Sequence, residues 1–541
     1  MALPFHSPTS LLGDEFTSIR SFLMVTFLAA GALFVASRAK PSPVAKIPGP
    51  SSPSWIFGNL LQLVFPRIYG EFEFEWQKTY GPVYRIKGVF GEDRLMVSDP
   101  VALQRITNDR SFIRVASQRK MGQLVFGEGS VFCIEGEQHR RLRAALSPAF
   151  SPAVVRSFSP IFAEVAQRIV HEWDKACSAG SPVRIDVCEV LDRATLDIIS
   201  EAALGSPLNT VENPQHPLAQ SHLKVLSAAF GRTKNDLIVD VIVAKIPSLI
   251  LHALVLLPSA AFRALRNFRG VTDRMSSRLL REKTELQQSG LDQSNDMLGI
   301  LITGISDARK KNMTADELAE QIRLILLAGQ DTSANALAWC LYELAKDGDY
   351  QQKLRAEIQM SRGSARGMDY DSMPLLNALL KETLRVYPAA AYMDRVASED
   401  SVIPLAYEIT TTAGERISQL PVKKGQHIAV AIASYQKFEP VWGSDADQYR
   451  PSRWLDGIPC KGQALGPYSH LLSFAGGNRP CPGWRFSLSE MQIILSDLVA
   501  NFSFAPSPDD PVRPQYAGVF SPVTKEGVKG VPLLVERISH S

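Results

Sequence analysis

The sequence predicts a mainly α-helical protein with a smaller β region, organised as one large domain behind an N-terminal membrane anchor. Three observations carry that expectation. Residues 21–37 are an uncharged apolar run that ends at a proline-rich stretch. Most of the chain beyond follows helical periodicity with start and stop signals. Between 402 and 433 the pattern changes to short, glycine-punctuated apolar runs that read as strands, including HIAVAIA after Lys424-Gly425. Composition narrows the class. Lys and Arg number 58 against 55 Asp and Glu, a net charge of +3 over 541 residues, which supplies no global field for nucleic acid. With 45% apolar and 21% charged residues the chain is globular rather than disordered. The six cysteines stand far apart with no C-x-x-C pair, which excludes a zinc ribbon or a dense disulfide scaffold and fits a reducing compartment.

Taken in order, residues 1–20 form a short tail containing Asp14, Glu15 and Arg20. The run SFLMVTFLAAGALFVAS from Ser21 to Ser37 spans about 25 Å as a helix, the short end of what crosses a bilayer. Arg38, Lys40 and Lys46 follow it, so the positive-inside rule places the tail in the lumen and the rest in the cytosol. An acidic leading segment argues against a cleavable signal peptide. Residues 38–54, with Pro41, Pro43, Pro48, Pro50 and Pro53, read as a stiff extended hinge. Residues 55–541 contain no internal repeat and no second break of that strength, so they count as one domain. Leu237 to Phe262 is very apolar but carries Asp240, Lys245, Pro247 and Pro258; it reads as core or as a surface that dips into a membrane. Thr314-Ala-Asp-Glu317 is a capping box opening a helix from Ala315 to about Lys346, a rod of about 48 Å stopped by Asp347-Gly348. Pro374 and Pro388 bracket a shorter helix, LLNALLKETLRVY.

Residues 474–483 read FAGGNRPCPG and enter a further helix, WRFSLSEMQIILSDLVANF. A tight Gly/Pro turn therefore presents Cys481 at a helix N-terminus, where the dipole and free N–H groups favour a thiolate, a good soft ligand for iron. Phe474, Gly477, Arg479, Cys481 and Gly483 match F-x-x-G-x-R-x-C-x-G at every fixed place. A chance match in a chain of this length is on the order of one in ten thousand. The segment resembles the haem-binding loop of the cytochrome P-450 superfamily, the haem-thiolate monooxygenases. The resemblance implies the fold of that family, a single large catalytic domain with a long distal helix crossing a haem b. It implies that Cys481 is the axial ligand of the iron, that Arg479 bonds a haem propionate and that Phe474 packs beside the thiolate. A thiolate ligand pushes electron density onto iron and favours O–O cleavage.

Other segments resemble the family's motifs in the expected order. Ala328-Gly329-Gln330-Asp331-Thr332-Ser333, in the middle of the long capped helix, matches A/G-G-x-D/E-T-T/S. There Gly329 would let the helix open locally, while Asp331 and Thr332 would form an acid–alcohol proton relay. Glu382-Thr-Leu-Arg385 matches E-x-x-R, whose i, i+3 spacing allows pairing on one face. Tyr449-Arg-Pro451-Ser-Arg453-Trp454 is similar to F-x-P-E-R-F/W, with Tyr449 and Ser452 departing from the pattern, and Arg453 would complete a buried Glu-Arg-Arg cluster. His139 and Arg143, matching W/H-x-x-x-R, and Arg395, matching a strand arginine, would also bind propionates.

The resemblance implies O2- and NADPH-dependent oxidation of a lipophilic small molecule. Electrons would come from an NADPH-cytochrome reductase, and the enzyme would sit as a single-pass protein of the endoplasmic reticulum membrane. Phrases such as HRRLRAALSPAFS resemble fungal microsomal members, which favours a terpenoid-like substrate in secondary metabolism. The alternative is a haem-thiolate isomerase or dehydratase that needs no reductase; the Asp331-Thr332 pair argues against it. Nucleic acid is not expected as a partner.

Overall fold

A computed structural model describes residues 43–177, 181–289, 296–306, 313–363, 368–457, 464–516 and 518–538. The tail at 1–20 and the anchor at 21–37 lie outside the described residues, as does the first part of the hinge. Among the described residues no helix is long and apolar enough to cross a membrane.

Six helices position the site: α1 (Gly136–Leu146), α2 (Ser159–Ala176), α3 (Val187–Leu204), α4 (Ala315–Lys346), α5 (Pro374–Val386) and α6 (Trp484–Asn501). The bounds of α4 are those that its capping box and Asp347 stop require. Thr314 Oγ1 accepts from the Glu317 N–H at 3.1 Å, and Glu317 Oε2 accepts from the Thr314 N–H at 2.8 Å. From Ser333 to Leu344 α4 is buried on nearly every face, which marks it as a central rather than a surface helix. Its main packing partner is α3, and α6 lies against α2.

Gly329 has a different job from the one expected. The α4 helix continues unbroken through it. A Cβ there would stand 2.6 Å from Ile199 Cγ1, so the missing side chain lets α3 approach α4 closely. The tract at 402–433 forms strands Ser401–Thr410, Arg416–Val422 and His427–Val430, but the chain turns helical at Ile432.

The main sheet contains β1 (Val83–Lys87), β2 (Asp93–Val97), β3 (Phe112–Arg114), β4 (Met393–Ala397) and β5 (His427–Val430), in the order β1-β2-β5-β4-β3. Only the β2–β5 pair is parallel. The antiparallel β3–β4 register sets Arg114 opposite Arg395.

The described part of the hinge is not a free spacer. Val44 and Ile47 are buried, the Arg85 N–H donates to the Pro48 carbonyl at 2.9 Å, and a Cβ on Gly49 would meet the Arg85 carbonyl. Its apolar side chains and backbone bonds tie it to β1. The apolar stretch after Leu237 divides at Pro247 into helices Lys234–Lys245 and Ser248–Leu254. Leu237, Val243, Leu251 and Val255 are buried, whereas Leu249 is 84% and Leu256 75% exposed. One face of this stretch is core and the other is an apolar surface.

One carboxylate knits α5 to the segment that follows the sheet. Glu382 is fully buried and accepts from Arg385 Nε and Nη2 at 2.9 and 2.8 Å and from Arg453 Nε at 2.9 Å. The Arg450 N–H and Trp454 Nε1 also donate to it, at 2.7 and 2.9 Å. Ser452 thus departs from the family pattern without a gap in the cluster, because Trp454 and the backbone fill the carboxylate. Burial pushes the Glu382 carboxyl up, but the Arg385 hydrogen bonds and charge outweigh it and hold it below its ordinary value. Replacing Arg453 with Met removes one of the two guanidinium partners of this buried carboxylate and a partner of Asp445 as well. The expected cost is about 3–5 kcal/mol in urea unfolding, and a cost under about 1 kcal/mol would contradict the buried-charge account.

Candidate active site

The segment that carries Cys481 is held in an unusual backbone. Ser469, His470 and Ala475 all have positive φ, at 48°, 63° and 56°, as does Gly477 at 64°. Such angles are strained for residues with a Cβ, so surrounding bonds must enforce them. A Cβ on Gly477 would stand 2.1 Å from the Thr107 carbonyl, which is where the loop docks on the helix Pro100–Asn108. The Asn478 N–H donates to that same carbonyl at 3.0 Å, and the Cys481 N–H donates to the Phe474 carbonyl at 2.8 Å. Phe474 is buried beside the cysteine, edge-on to Tyr468.

Cys481 opens into a cavity of about 1790 Å³ that Ala328, Thr332, Phe474 and Phe520 also line. Burial pushes its thiol up, against downward pulls from the Gly483 N–H and Arg143. The helix terminus expected to depress it is therefore outweighed by desolvation.

Across the cavity, Thr332 Oγ1 donates to the Ala328 carbonyl at 2.8 Å. Asp331 faces away from Thr332. It does not line the cavity, and its Oδ1 is bonded to Lys529 Nζ at 2.5 Å. Lys529 also holds Asp192 of α3 at 2.7 Å, while Asp331 Oδ2 is buried without a partner. Lys529 lies in the C-terminal hairpin region, 198 residues from Asp331, and no sequence motif marks it.

A cluster of cations forms one wall. Arg143 and Arg479 line the cavity with His139, Arg114 and Arg395. Arg479 is held by the Ile134 carbonyl at 2.8 Å and by an ion pair with Glu135. Arg114, Arg143 and Arg395 have no ion-pair partner among the described residues; Arg114 Nε is buried without a hydrogen bond, its guanidinium lying 3.8 Å over the Phe132 ring. Burial, with Arg395 and Arg479 close by, lowers Arg114 to about 9. Burial and the surrounding arginines push His139 down to about 4, so it is a neutral imidazole near pH 7. Arg114 was not legible in the sequence; only its register opposite Arg395 brings it here.

Two like charges facing each other across a sheet are destabilising unless an anion sits between them. The site is therefore a seat for a group with two negative charges, an apolar body and a soft-ligand metal, which is the chemistry of a haem. A buried thiol becomes a good ligand once a metal cation replaces its proton. The residues present fit that group. Replacing Arg395 with Gln should stabilise the haem-free protein by about 1 kcal/mol by relieving repulsion, while lowering the haem-to-protein ratio. A haem-free variant that loses stability yet loads haem normally would contradict this reading.

Comparison with known proteins agrees with the geometry. The cytochrome P450 family model matches residues 48–528. Cytochrome P450 monooxygenase 91 of Postia placenta is 31% identical over 519 residues, covering 92% of this chain and 95% of the relative. Cytochrome P450 monooxygenase 205 of the same fungus is 32% identical, covering 92% and 93%. Cytochrome P450 monooxygenase claQ of Ampulloclitocybe clavipes is 28% identical, covering 91% and 92%. By its fold, its site and these relatives, the chain belongs to the cytochrome P450 family of haem-thiolate monooxygenases.

Proposed function

We propose that this protein oxidises a lipophilic small molecule, using O2 and electrons passed from NADPH by a membrane-bound reductase. The observation that carries the reading is that Cys481 and Thr332 face one large, mainly apolar cavity from opposite elements. Haem iron, when bound, supplies the oxygen activation. The chain's own residues do the rest. Cys481 Sγ, on the loop before α6, would hold the iron. Arg114, Arg143, Arg395 and Arg479 balance the propionates, and His139 donates to one as a neutral ring. Thr332 Oγ1, on the opposite wall, would hold a proton at the cavity surface. Asp331, beside Thr332 on α4 but turned to Lys529, is the carboxyl group through which a proton would be relayed toward that hydroxyl. Apolar walls exclude bulk water and accept an apolar skeleton.

The relatives are fungal monooxygenases, and a terpenoid-like skeleton of secondary metabolism is the substrate class we propose. The run at 21–37 is the single-pass anchor in the endoplasmic reticulum membrane, the catalytic domain lying in the cytosol. The exposed Leu249 and Leu256 give the domain a second apolar face toward that membrane.

The direct test reconstitutes the purified protein with a fungal reductase and a panel of terpenoids. The reading requires NADPH-dependent O2 uptake with product formation; conversion of a peroxide substrate without O2 or reductase would instead establish an isomerase or dehydratase. In the same system Thr332→Ala should keep haem but yield about tenfold less product per NADPH consumed. Unchanged coupling would remove Thr332 from the relay.

A further inference from the structure

The cavity is apolar around Cys481 and Thr332 but polar on another part of its wall. Tyr392, immediately before β4, and Tyr516, at the end of strand Arg513–Tyr516, bring their rings to 5.0 Å between centroids. Both line the cavity. Neither phenol oxygen has a hydrogen-bond partner among the described residues, and neither is sealed from the cavity. Burial raises both phenols above their ordinary value, so they remain protonated donors.

The charged side chains nearby are already spoken for. Arg94 Nε donates to Glu92 Oε2 at 3.0 Å. Gln118 Nε2 donates to Asp394 Oδ2 at 3.1 Å. Arg232 is paired with Asp240 at 2.5 Å, and both are more than a third exposed, so they form a rim where the cavity opens. The charges acting on the two phenols are Asp394, Arg232 and Glu73, not the arginines that surround His139. The phenol pair and the cation seat are thus separate polar regions of one cavity.

We propose that Tyr392 and Tyr516 form a subsite for a neutral oxygen function, a hydroxyl or a carbonyl, on a lipophilic substrate whose other end is oxidised above Cys481. This rests on the monooxygenase reading and names the substrate class within it. Two phenol donors open to the cavity lose water when an apolar substrate fills it, and so call for an acceptor on that substrate, since an unmet buried donor is costly. An anionic headgroup is repelled by Asp394, whose carboxylate is bonded among the described residues only to the neutral Gln118, and any ionic headgroup would lose its own hydration. The cavity volume exceeds the ordinary 300–1,000 Å³ of a ligand pocket, so a haem and an extended second molecule fit together. A site built to bond an oxygen rejects the analogue that lacks it. The substrate therefore arrives already oxygenated, so a step that installs a hydroxyl or carbonyl oxygen precedes this enzyme.

The test measures binding of matched pairs to the full-length protein: cedrol and cedrane, 1-dodecanol and dodecane, and 5α-androstan-3β-ol and 5α-androstane. Equilibrium dialysis gives Kd, and perturbation of the haem Soret band gives it independently. Wild type should bind at least one alcohol about three- to tenfold more tightly than its parent hydrocarbon. Tyr392→Phe and Tyr516→Phe, which remove one oxygen each and keep the ring packing, should each reduce the preference, and the double variant should abolish it. A wild type with no alcohol preference on any skeleton, or a double variant that keeps it, overturns the proposal. Failure to bind haem would defeat the monooxygenase reading instead, and the dialysis preference would stand apart from it.

Discussion

The arrangement around Cys481 depends on the buried carboxylate of Glu382. It collects donors from α5, from the Arg450–Trp454 turn and from two guanidinium groups that water cannot reach. Arg385 carries the constraint onward through bonds to the Gln436 and Gln448 carbonyls at 2.8 and 2.7 Å. Gln436 then donates to the Arg385 carbonyl at 2.8 Å and accepts from the Leu472 N–H at 2.9 Å and Ser473 Oγ at 3.0 Å. This chain of bonds ends at the loop whose strained angles aim the cysteine. A backbone with several non-glycine residues at positive φ stays in place only when its surroundings over-determine it, and the Glu382 cluster is that surrounding.

The second organising feature is an imbalance of charge. A protein with a net charge of +3 hides a local excess of cations along one wall of its cavity. The excess costs stability until a dianionic group binds, so the seat is selective for such a group. The distal side is organised in the opposite way. Lys529 joins α3 and α4 by sharing one ammonium between the Asp192 and Asp331 carboxylates. One wall thus leaves Arg114, Arg143 and Arg395 without ion-pair partners among the described residues, whereas the charges behind the other are paired with one another.

What could be read from the sequence was what local physics fixes. The capping box and the Asp347 stop define α4, Pro374 opens α5, and the spacing of Phe474 to Gly483 marks the cysteine turn. Features made by distant segments were not legible. Arg114 meets Arg395 only through a strand register, and Lys529 meets Asp331 across most of the fold. Gln436 has no neighbouring pattern to reveal its bridging role. Gly329 was read for local helix opening, whereas its use comes from Ile199 on another helix. The proline-rich segment looked like a spacer because proline stiffness is local, while the burial of Val44 and Ile47 depends on β1.

All of these assignments converge on one bond, that between Cys481 and haem iron. The measurement that tests it most directly is the absorption spectrum of the reduced, CO-bound protein, taken for wild type and for Cys481→Ala. The account predicts a long-wavelength, thiolate-type Soret maximum in wild type and its complete loss in the variant. A wild type with only an imidazole-type maximum, or a variant that keeps the thiolate-type band, would contradict it.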